Sequence, residues 1–583
     1  MISVERSFYE KFPQLAAGRA RTFAQPVVEF LRRVACEERI NSTLAALAPL
    51  TGFDFVERAL EHFHISYSLA NTDRENIPVD GRVVIVANHP LGAMDALALI
   101  DLVGSVRRDV RILANDILMQ LDPLTSLLLP LPVFGAGSAL GGAREAYRAL
   151  ERDEALIVFP AGEVSRIHPL GVRDQAWSAG FARLSQKTGA PVLPVHIAAQ
   201  NSPVFYGVSM LAKPLASLLL PREMFSTSRA RIGFNVGELV PCKALAAGGL
   251  TPTQVAAHMR RHVYRLARRR PTVFPTSAAV AHPESPLAVR KALRRAERLG
   301  ETQDGKAILL LDAAQDCPAM REIGRLRELA FRRVGEGTGA RRDLDRFDTH
   351  YRHLVLWDEN ALAIVGAYRL GEAGTILDRH GPAGLYSSTL FEYADPAPEF
   401  LREAVELGRS FVQPAYWGSR SLDYLWQGIG AYLCARPDMR YLFGPVSLTA
   451  ALPGPAREWI AHYHRHYYGD GDRLARARNP FVISREVEKA AKAEWAGRSP
   501  AESLVLLRER LTTLDAQLPI LYRQYVDLCE PEGVRFLDFG VDPSFGGCVD
   551  GLVRLDIRYL RAAKRSRYMK GAAARTWDIV AGS

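Results

Sequence analysis

At 583 residues, with 48% hydrophobic and 24% charged content, the chain has the make-up of globular protein and exceeds what one hydrophobic core normally supports, so two or more domains are expected. A formal charge of +10 favours anionic partners, an anionic membrane surface or an acidic carrier protein; the basic clusters Arg260-Arg261, Arg268-Arg269-Arg270 and Lys564-Arg565-Ser566-Arg567 lack the interleaved aromatics of a nucleic-acid platform, and no nucleic-acid partner is expected. Six scattered cysteines without a Cys-x-x-Cys pair, and His462, His464 and His466 without a thiol or acidic companion at ligand spacing, argue against a metal site and a disulfide framework.

The opening residues Met1 to Lys11 carry charges where a secretory signal needs its apolar centre. No segment offers the roughly 18 uninterrupted apolar residues of a spanning helix, so a cytoplasmic location is expected. Residues 1–80 read as a helical segment without a motif. From 81 to 250, apolar strands at 83–87, 110–114, 156–159, 192–197 and 231–235 alternate with helical stretches, the rhythm of a layered α/β domain. The first strand, Val83-Val84-Ile85-Val86-Ala87, is the kind of run buried on both faces, and Pro90 and Gly92 stop it. His89 then stands at the carboxyl edge of the sheet, where open α/β sheets place their ligands. An imidazole there can take a proton from a hydroxyl or amine if a carboxylate holds its tautomer, a role open to Asp95.

Residues 123–143 carry no charge, yet Pro130 and Pro132 forbid a regular helix. They read either as an apolar lip that dips into a bilayer, with Arg107, Arg108 and Arg111 meeting anionic headgroups, or as an ordinary core strand and loop. Two further blocks follow, Ile157-Val158-Phe159-Pro160-Ala161-Gly162-Glu163-Val164-Ser165-Arg166 and Ala190-Pro191-Val192-Leu193-Pro194-Val195-His196. With the His89 turn, these three blocks in order resemble the glycerolipid-type acyltransferases, in the His-Pro-Leu-Gly-x-x-Asp variant of the branch that acylates amino-acid lipids. The resemblance implies His89 as base, Asp95 as its orienting acid, and Phe159, Gly162, Glu163 and Arg166 in acceptor binding.

Residues 251–300 read as a basic helix followed by a proline-rich linker, and a second domain is expected over 301–583. Leu326 to Phe331 reads as a helix with Arg327 and Phe331 one turn apart, Asp345 and Asp348 follow in a loop, and 353–358 with 363–370 form a hairpin that carries Arg369. In the strand 405–412, Glu406 and Arg409 point to opposite faces unless a bulge at Gly408 re-aims them, and that bulge is expected. The ordered set Arg327, Phe331, Asp345, Asp348, Arg369, Glu406 and Arg409 resembles the acyl-homoserine-lactone synthases and ornithine N-acyltransferases, of the broad N-acetyltransferase (GNAT) fold class. That likeness implies Glu406 as base for an amine, with Asp345 or Asp348 pairing with a cationic amino acid and Arg369 or Arg409 with its carboxylate. The chain has Trp417-Gly418-Ser419-Arg420 where a pyrophosphate loop would follow, which favours acyl carrier protein over coenzyme A as donor.

The expected fold class is α/β in two domains, a layered αβ glycerolipid-acyltransferase domain followed by a GNAT-like α+β domain. Over about residues 80–560 the arrangement resembles the bifunctional ornithine lipid synthases. The resemblance implies N-acylation of a small amino acid from acyl carrier protein, then O-acylation of the lyso-lipid's 3-hydroxyl, without metal or redox cofactor, peripherally on the inner face of the cytoplasmic membrane. A lysophospholipid acyltransferase with an accessory second domain is the alternative reading.

Overall fold

The computed structural model describes residues 3–15, 18–114, 118–130, 139–168, 171–202, 205–206, 220–225, 231–312, 317–395 and 397–569. The chain divides into two compact units, 1–282 and 283–583.

The first unit contains strands β1 (Ser66–Ser68), β2 (Val83–Ala87), β3 (Val110–Ala114), β4 (Leu128–Pro130), β5 (Ala155–Val158), β6 (Arg166–His168), β7 (Gly171–Arg173), β8 (Val192–Ala198) and β9 (Arg231–Val236). Seven form one sheet in the order β1-β9-β8-β2-β5-β3-β4, parallel except between β8 and β9, while β6 and β7 make a separate hairpin. The unbroken apolar run of β2 follows from burial on both faces. Val83, Ile85 and Ala87 enter a core with Phe55, Leu99 and Val103, whereas Val84 and Val86 enter a second with Leu156, Phe181 and Met259. Helices Gly52–His62 and Ala93–Gly104 supply the first core, and Gly180–Thr188 and Pro252–Leu266 the second.

The segment read as a basic helix and linker is thus divided between the units, 251–282 in the first and 283–300 in the second. Helix Pro252–Leu266 is a core element because Val255, Ala256, Met259 and Val263 form a buried stripe behind its arginines, and Thr251 starts it with a capping box to Gln254. The uncharged segment 123–143 is described only in part. Leu128–Pro130 pairs with β3 as an edge strand, where a proline is tolerated, and residues 131–138 lie outside the described residues. Arg107 and Arg111 are engaged by carboxylates within the protein. Arg107 is buried, paired with Asp109 at 2.6 Å and bonded to the carbonyls of Gly81 and Asp153, and Arg111 pairs with Glu154 at 3.0 Å.

The second unit contains β10 (Glu297–Glu301), β11 (Ala307–Asp312), β12 (Arg352–Asp358), β13 (Ala363–Glu372), β14 (Phe391–Tyr393), β15 (Ala404–Val412), β16 (Tyr441–Leu448), β17 (Ala475–Ala477), β18 (Val534–Asp542) and β19 (Cys548–Asp556). Eight strands form a sheet in the order β10-β11-β12-β13-β15-β16-β19-β18. Helix Pro318–Arg333 packs on one face and Ser421–Ala435 on the other. Neighbours run antiparallel except β15 and β16, which are parallel and pair only from Ala404–Glu406 to Tyr441–Phe443. Beyond Glu406 the two strands part, opening a wedge in the middle of the sheet. The expected bulge is present one residue on from Gly408: Ala367 faces Phe411 and Arg369 faces Gly408, so Arg409 and Ser410 together oppose Tyr368. Arg409 takes the left-handed conformation this needs, with φ +49°.

Candidate active sites

In the first unit the turn after β2 delivers His89 against the helix that follows. Its Nδ1 lies 2.9 Å from Asp95 Oδ1, and Asp95 Oδ2 accepts from Leu91 N at 2.7 Å. Asp95 sits in the first turn of helix Ala93–Gly104, where the helix end favours a carboxylate, and is fully buried. Burial alone would lower the imidazole pKa, but the Asp95 carboxylate outweighs it and holds His89 above its ordinary value. Phe159, at the end of β5, lays its ring 4.1 Å from the imidazole.

A shell of residues that the sequence reading missed fixes this turn. The buried Asn88 side chain donates to Ile197 O at 2.9 Å and accepts from Ile197 N at 2.7 Å, locking the end of β2 to β8. Asn201 donates to Pro90 O at 2.8 Å. Asp174 accepts from His89 N at 3.2 Å, from Trp177 Nε1 at 2.8 Å and from Ser165 Oγ, while Ser165 N donates to His89 O at 2.7 Å. Tyr264 and Arg260, on helix Pro252–Leu266, bond the backbone of Asp174 in turn. Nothing in the local sequence marks Asp174, which stands 85 residues from His89 and reaches it only through the fold.

The sequence-derived acceptor residues divide. Phe159 and Gly162 line a largely apolar cavity together with His89. Gly162 has φ +67°, and a side chain there would be strained. Glu163 and Arg166 pair with each other at 2.9 Å and do not line that cavity. Leu44, Leu47, Phe55, Leu97, Ile100 and Leu124 form its walls, and among its described lining residues His89 alone is titratable. A proton acceptor in the lining of a largely apolar cavity is the combination that acyl transfer to a hydroxyl requires.

In the second unit most of the expected set forms a buried ion network. Asp348 Oδ1 receives Arg327 Nη1 at 2.9 Å and Arg369 Nη1 at 3.3 Å, Asp345 pairs with Arg369 at 2.7 Å and with Arg409 at 3.5 Å, and Asp343 pairs with Arg409 at 3.0 Å. Arg327 and Arg369 are 0% exposed, and neither they nor Asp348 line the wedge cavity. Their charges are met within the protein by Asp345 and Asp348. His353, beside Arg327 at 3.0 Å, is pushed down to about 3 by burial and that guanidinium, and so stays neutral.

Glu406, the expected base, lies outside the lining of the wedge. It is buried and accepts from Ser387 N at 2.6 Å and from Tyr351 OH. Burial raises its pKa, with the Tyr351 and Ser387 bonds opposing, and those bonds tie β15 to the 386–387 turn. Phe331 and Arg409 do reach the wedge. Arg409 donates to Tyr386 OH at 2.9 Å there, and Glu336, Tyr368, Ser410, Ser447, Tyr525, Phe545 and Asp550 are among the other lining residues.

Comparison with known proteins agrees with both halves. Residues 6–270 match the Acyltransferase family and residues 326–427 the Acetyltransferase (GNAT) domain. A glycine N(alpha)-acyltransferase of Phocaeicola vulgatus is 30% identical over 49% of this chain and 91% of its own length. The chain belongs to the acyltransferases. A lyso-glycine lipid O-acyltransferase of the same organism is a further relative of this acyltransferase, 29% identical over 44% of the chain and 94% of its own length. An L-ornithine N(alpha)-acyltransferase of Brucella abortus is 34% identical over 26% of the chain and 57% of its own length. The protein is therefore an acyltransferase with an Acyltransferase domain followed by a GNAT domain.

Proposed function

We propose that the two units perform successive acylations on one lipid: the second attaches a 3-hydroxyacyl chain to the amine of an amino acid, and the first esterifies the hydroxyl of that product. The observation that carries the reading is the His89–Asp95 pair at 2.9 Å, with His89 lining a largely apolar cavity. In the O-acyl step Asp95 holds Nδ1 of the imidazole, Nε2 takes the proton from the acceptor hydroxyl, and the freed oxygen attacks the thioester carbonyl of the donor. The carbon–sulfur bond then breaks, and the thiolate leaves with the proton returned by His89. The donor chain lies along Leu97, Ile100 and Leu124.

The relatives support the acceptor chemistry, since one is named for N-acylation of glycine, another for O-acylation of a lyso-glycine lipid, and a third for N-acylation of ornithine. Acyl carrier protein is the proposed donor, because the positive charge suits an acidic carrier. The same charge suits the anionic inner leaflet, and no helix among the described residues is long and apolar enough to cross a membrane. The test is expression of the full chain in a host without amino-acid lipids, followed by lipid mass spectrometry. Wild type should yield a diacylated amino-acid lipid and His89→Ala the mono-acylated amide alone. A diacylated product from His89→Ala would remove the first unit from the scheme.

A further inference from the structure

Helix Pro252–Leu266 buries Val255, Ala256, Met259 and Val263, and its remaining face carries Thr253, Ala257, Arg261, Tyr264 and Arg265 at three- and four-residue spacing. The short side chains of Thr253 and Ala257 leave room for an open recess of about 460 Å³. Six guanidiniums line it: Arg260, Arg261 and Arg265 on the helix, Arg268 and Arg270 in the turn that follows, and Arg173 at the end of β7. The turn folds back on the helix, with Arg268 N and Arg270 N both donating to Arg265 O, at 3.0 Å and 3.2 Å. Arg269 takes the left-handed conformation that this needs, φ +47°, at a position where glycine is usual.

No carboxylate lines the recess, and among the described residues none of the six guanidiniums forms an ion pair. Arg261 and Arg265 stand four residues apart on one helix face, where like charges repel. Arg265 Nη1 reaches Pro271 O at 3.3 Å and Arg173 lies 5.4 Å from the Tyr264 ring, contacts that leave the net charge unmatched. Arg260 adds a second sign, because its Nε is buried and has no hydrogen-bond partner. A buried donor left so in the lining of a cavity is commonly satisfied by what binds there.

We propose that this recess is a site for a soluble oligophosphate, an anion with two or more linked phosphate groups, and that its occupancy is transmitted to His89. Guanidiniums present paired N–H donors that match phosphate oxygens, and six of them suit several adjacent charges. They line a recess, which fits a compact polyanion better than the broad surface of a bilayer or a carrier protein. The recess shares no lining residue with the apolar cavity at His89, so the anion acts as an effector. Asp174 is the link. Arg260 Nη2 donates to its carbonyl, its N–H donates to Tyr264 OH at 2.8 Å, and its carboxylate accepts from His89 N at 3.2 Å. An anion that engages Arg260 Nε fixes the guanidinium that holds Asp174, and with it the turn that presents His89. Arg260 is thereby a positioning residue. The effect on catalysis rests on the first unit being the O-acyltransferase, whereas the binding does not.

Calorimetric titration of the full chain with inorganic pyrophosphate tests the site. Pyrophosphate should bind about tenfold or more tightly than orthophosphate, and less tightly as salt is raised. Arg261→Ala combined with Arg268→Ala, both exposed, should weaken binding by about tenfold or more, with an unchanged melting curve in anion-free buffer. In esterification of an N-(3-hydroxyacyl) amino acid from an acyl thioester, saturating pyrophosphate should raise wild-type kcat about threefold at constant KM. Arg260→Lys keeps the charge but lacks the Nε donor, and should bind pyrophosphate without the rise; if it fails to fold, Tyr264→Phe, which removes the acceptor for Asp174 N, should behave alike. No pyrophosphate binding, binding untouched by the double variant, an unchanged wild-type kcat, or a rise that survives in Arg260→Lys overturns the proposal. So does attachment to phosphatidylglycerol vesicles through Arg261 and Arg268 that pyrophosphate does not displace, since the recess would then be a headgroup contact. Esterification absent with and without pyrophosphate would instead overturn the O-acyltransferase reading, and the titration would still decide the site.

Discussion

Replacing Asp348 by Asn separates two roles for the charged set of the second unit. In the structure three guanidiniums, Arg327, Arg369 and Arg409, meet three carboxylates, Asp343, Asp345 and Asp348. Asp348 stands between the two fully buried arginines, at 2.9 Å and 3.3 Å. Asn keeps the shape and one acceptor oxygen but leaves an uncompensated positive charge out of water, a change that costs about 3–5 kcal/mol when one partner of a buried pair is removed. Calorimetry of the full chain should show a transition lowered by on the order of 10 °C. The acid limb supplies a sign. Burial would raise the Asp348 pKa, but Arg327 and Arg369 outweigh it and hold it well below the usual carboxylate range. A depressed folded pKa contributes stability that is complete above the unfolded value, about 4, and is lost as pH falls toward the folded one. Wild type should therefore lose stability below about pH 4 more steeply than Asp348→Asn. An unchanged transition together with a raised KM for the amine would refute the structural role and restore Asp348 as a substrate ligand.

Two further outcomes concern the first unit. Because Asp95 holds the His89 pKa above its ordinary value and only the neutral imidazole can accept a proton, O-acylation should fall on the acid side at a pH above that of an ordinary histidine. Asp95→Asn should move that limb to lower pH while reducing the rate, and a pH–rate profile of the esterification step with the limb unmoved would dissociate Asp95 from the base. Ala96→Phe, which places a ring in the apolar cavity beside Leu97, should shorten the O-linked chain in product lipids while leaving the N-linked chain unaltered. Mass spectrometry of the two chains reads this directly, and an unaltered O-linked length would remove the donor chain from that slot.

Short-range pattern alone set the type and place of β2, its stop at Pro90 and Gly92, and the histidine with its aspartate in the first turn of the next helix, because strand periodicity, proline and helix spacing act over a few residues. The same local logic foresaw the bulge that re-aims Arg409, since a strand cannot otherwise turn two residues an odd number apart to one side. Local pattern was silent on Asp174 behind His89, on the burial of the basic helix Pro252–Leu266, and on the enclosure of Arg327, Asp348 and Arg369. It could also not distinguish Glu406, spent on Tyr351 and Ser387, from Asp550, open to the wedge. Those distinctions depend on which strands become neighbours and where β15 leaves β16, and pairing across more than a hundred residues is decided by the burial of whole faces rather than by any short stretch of chain.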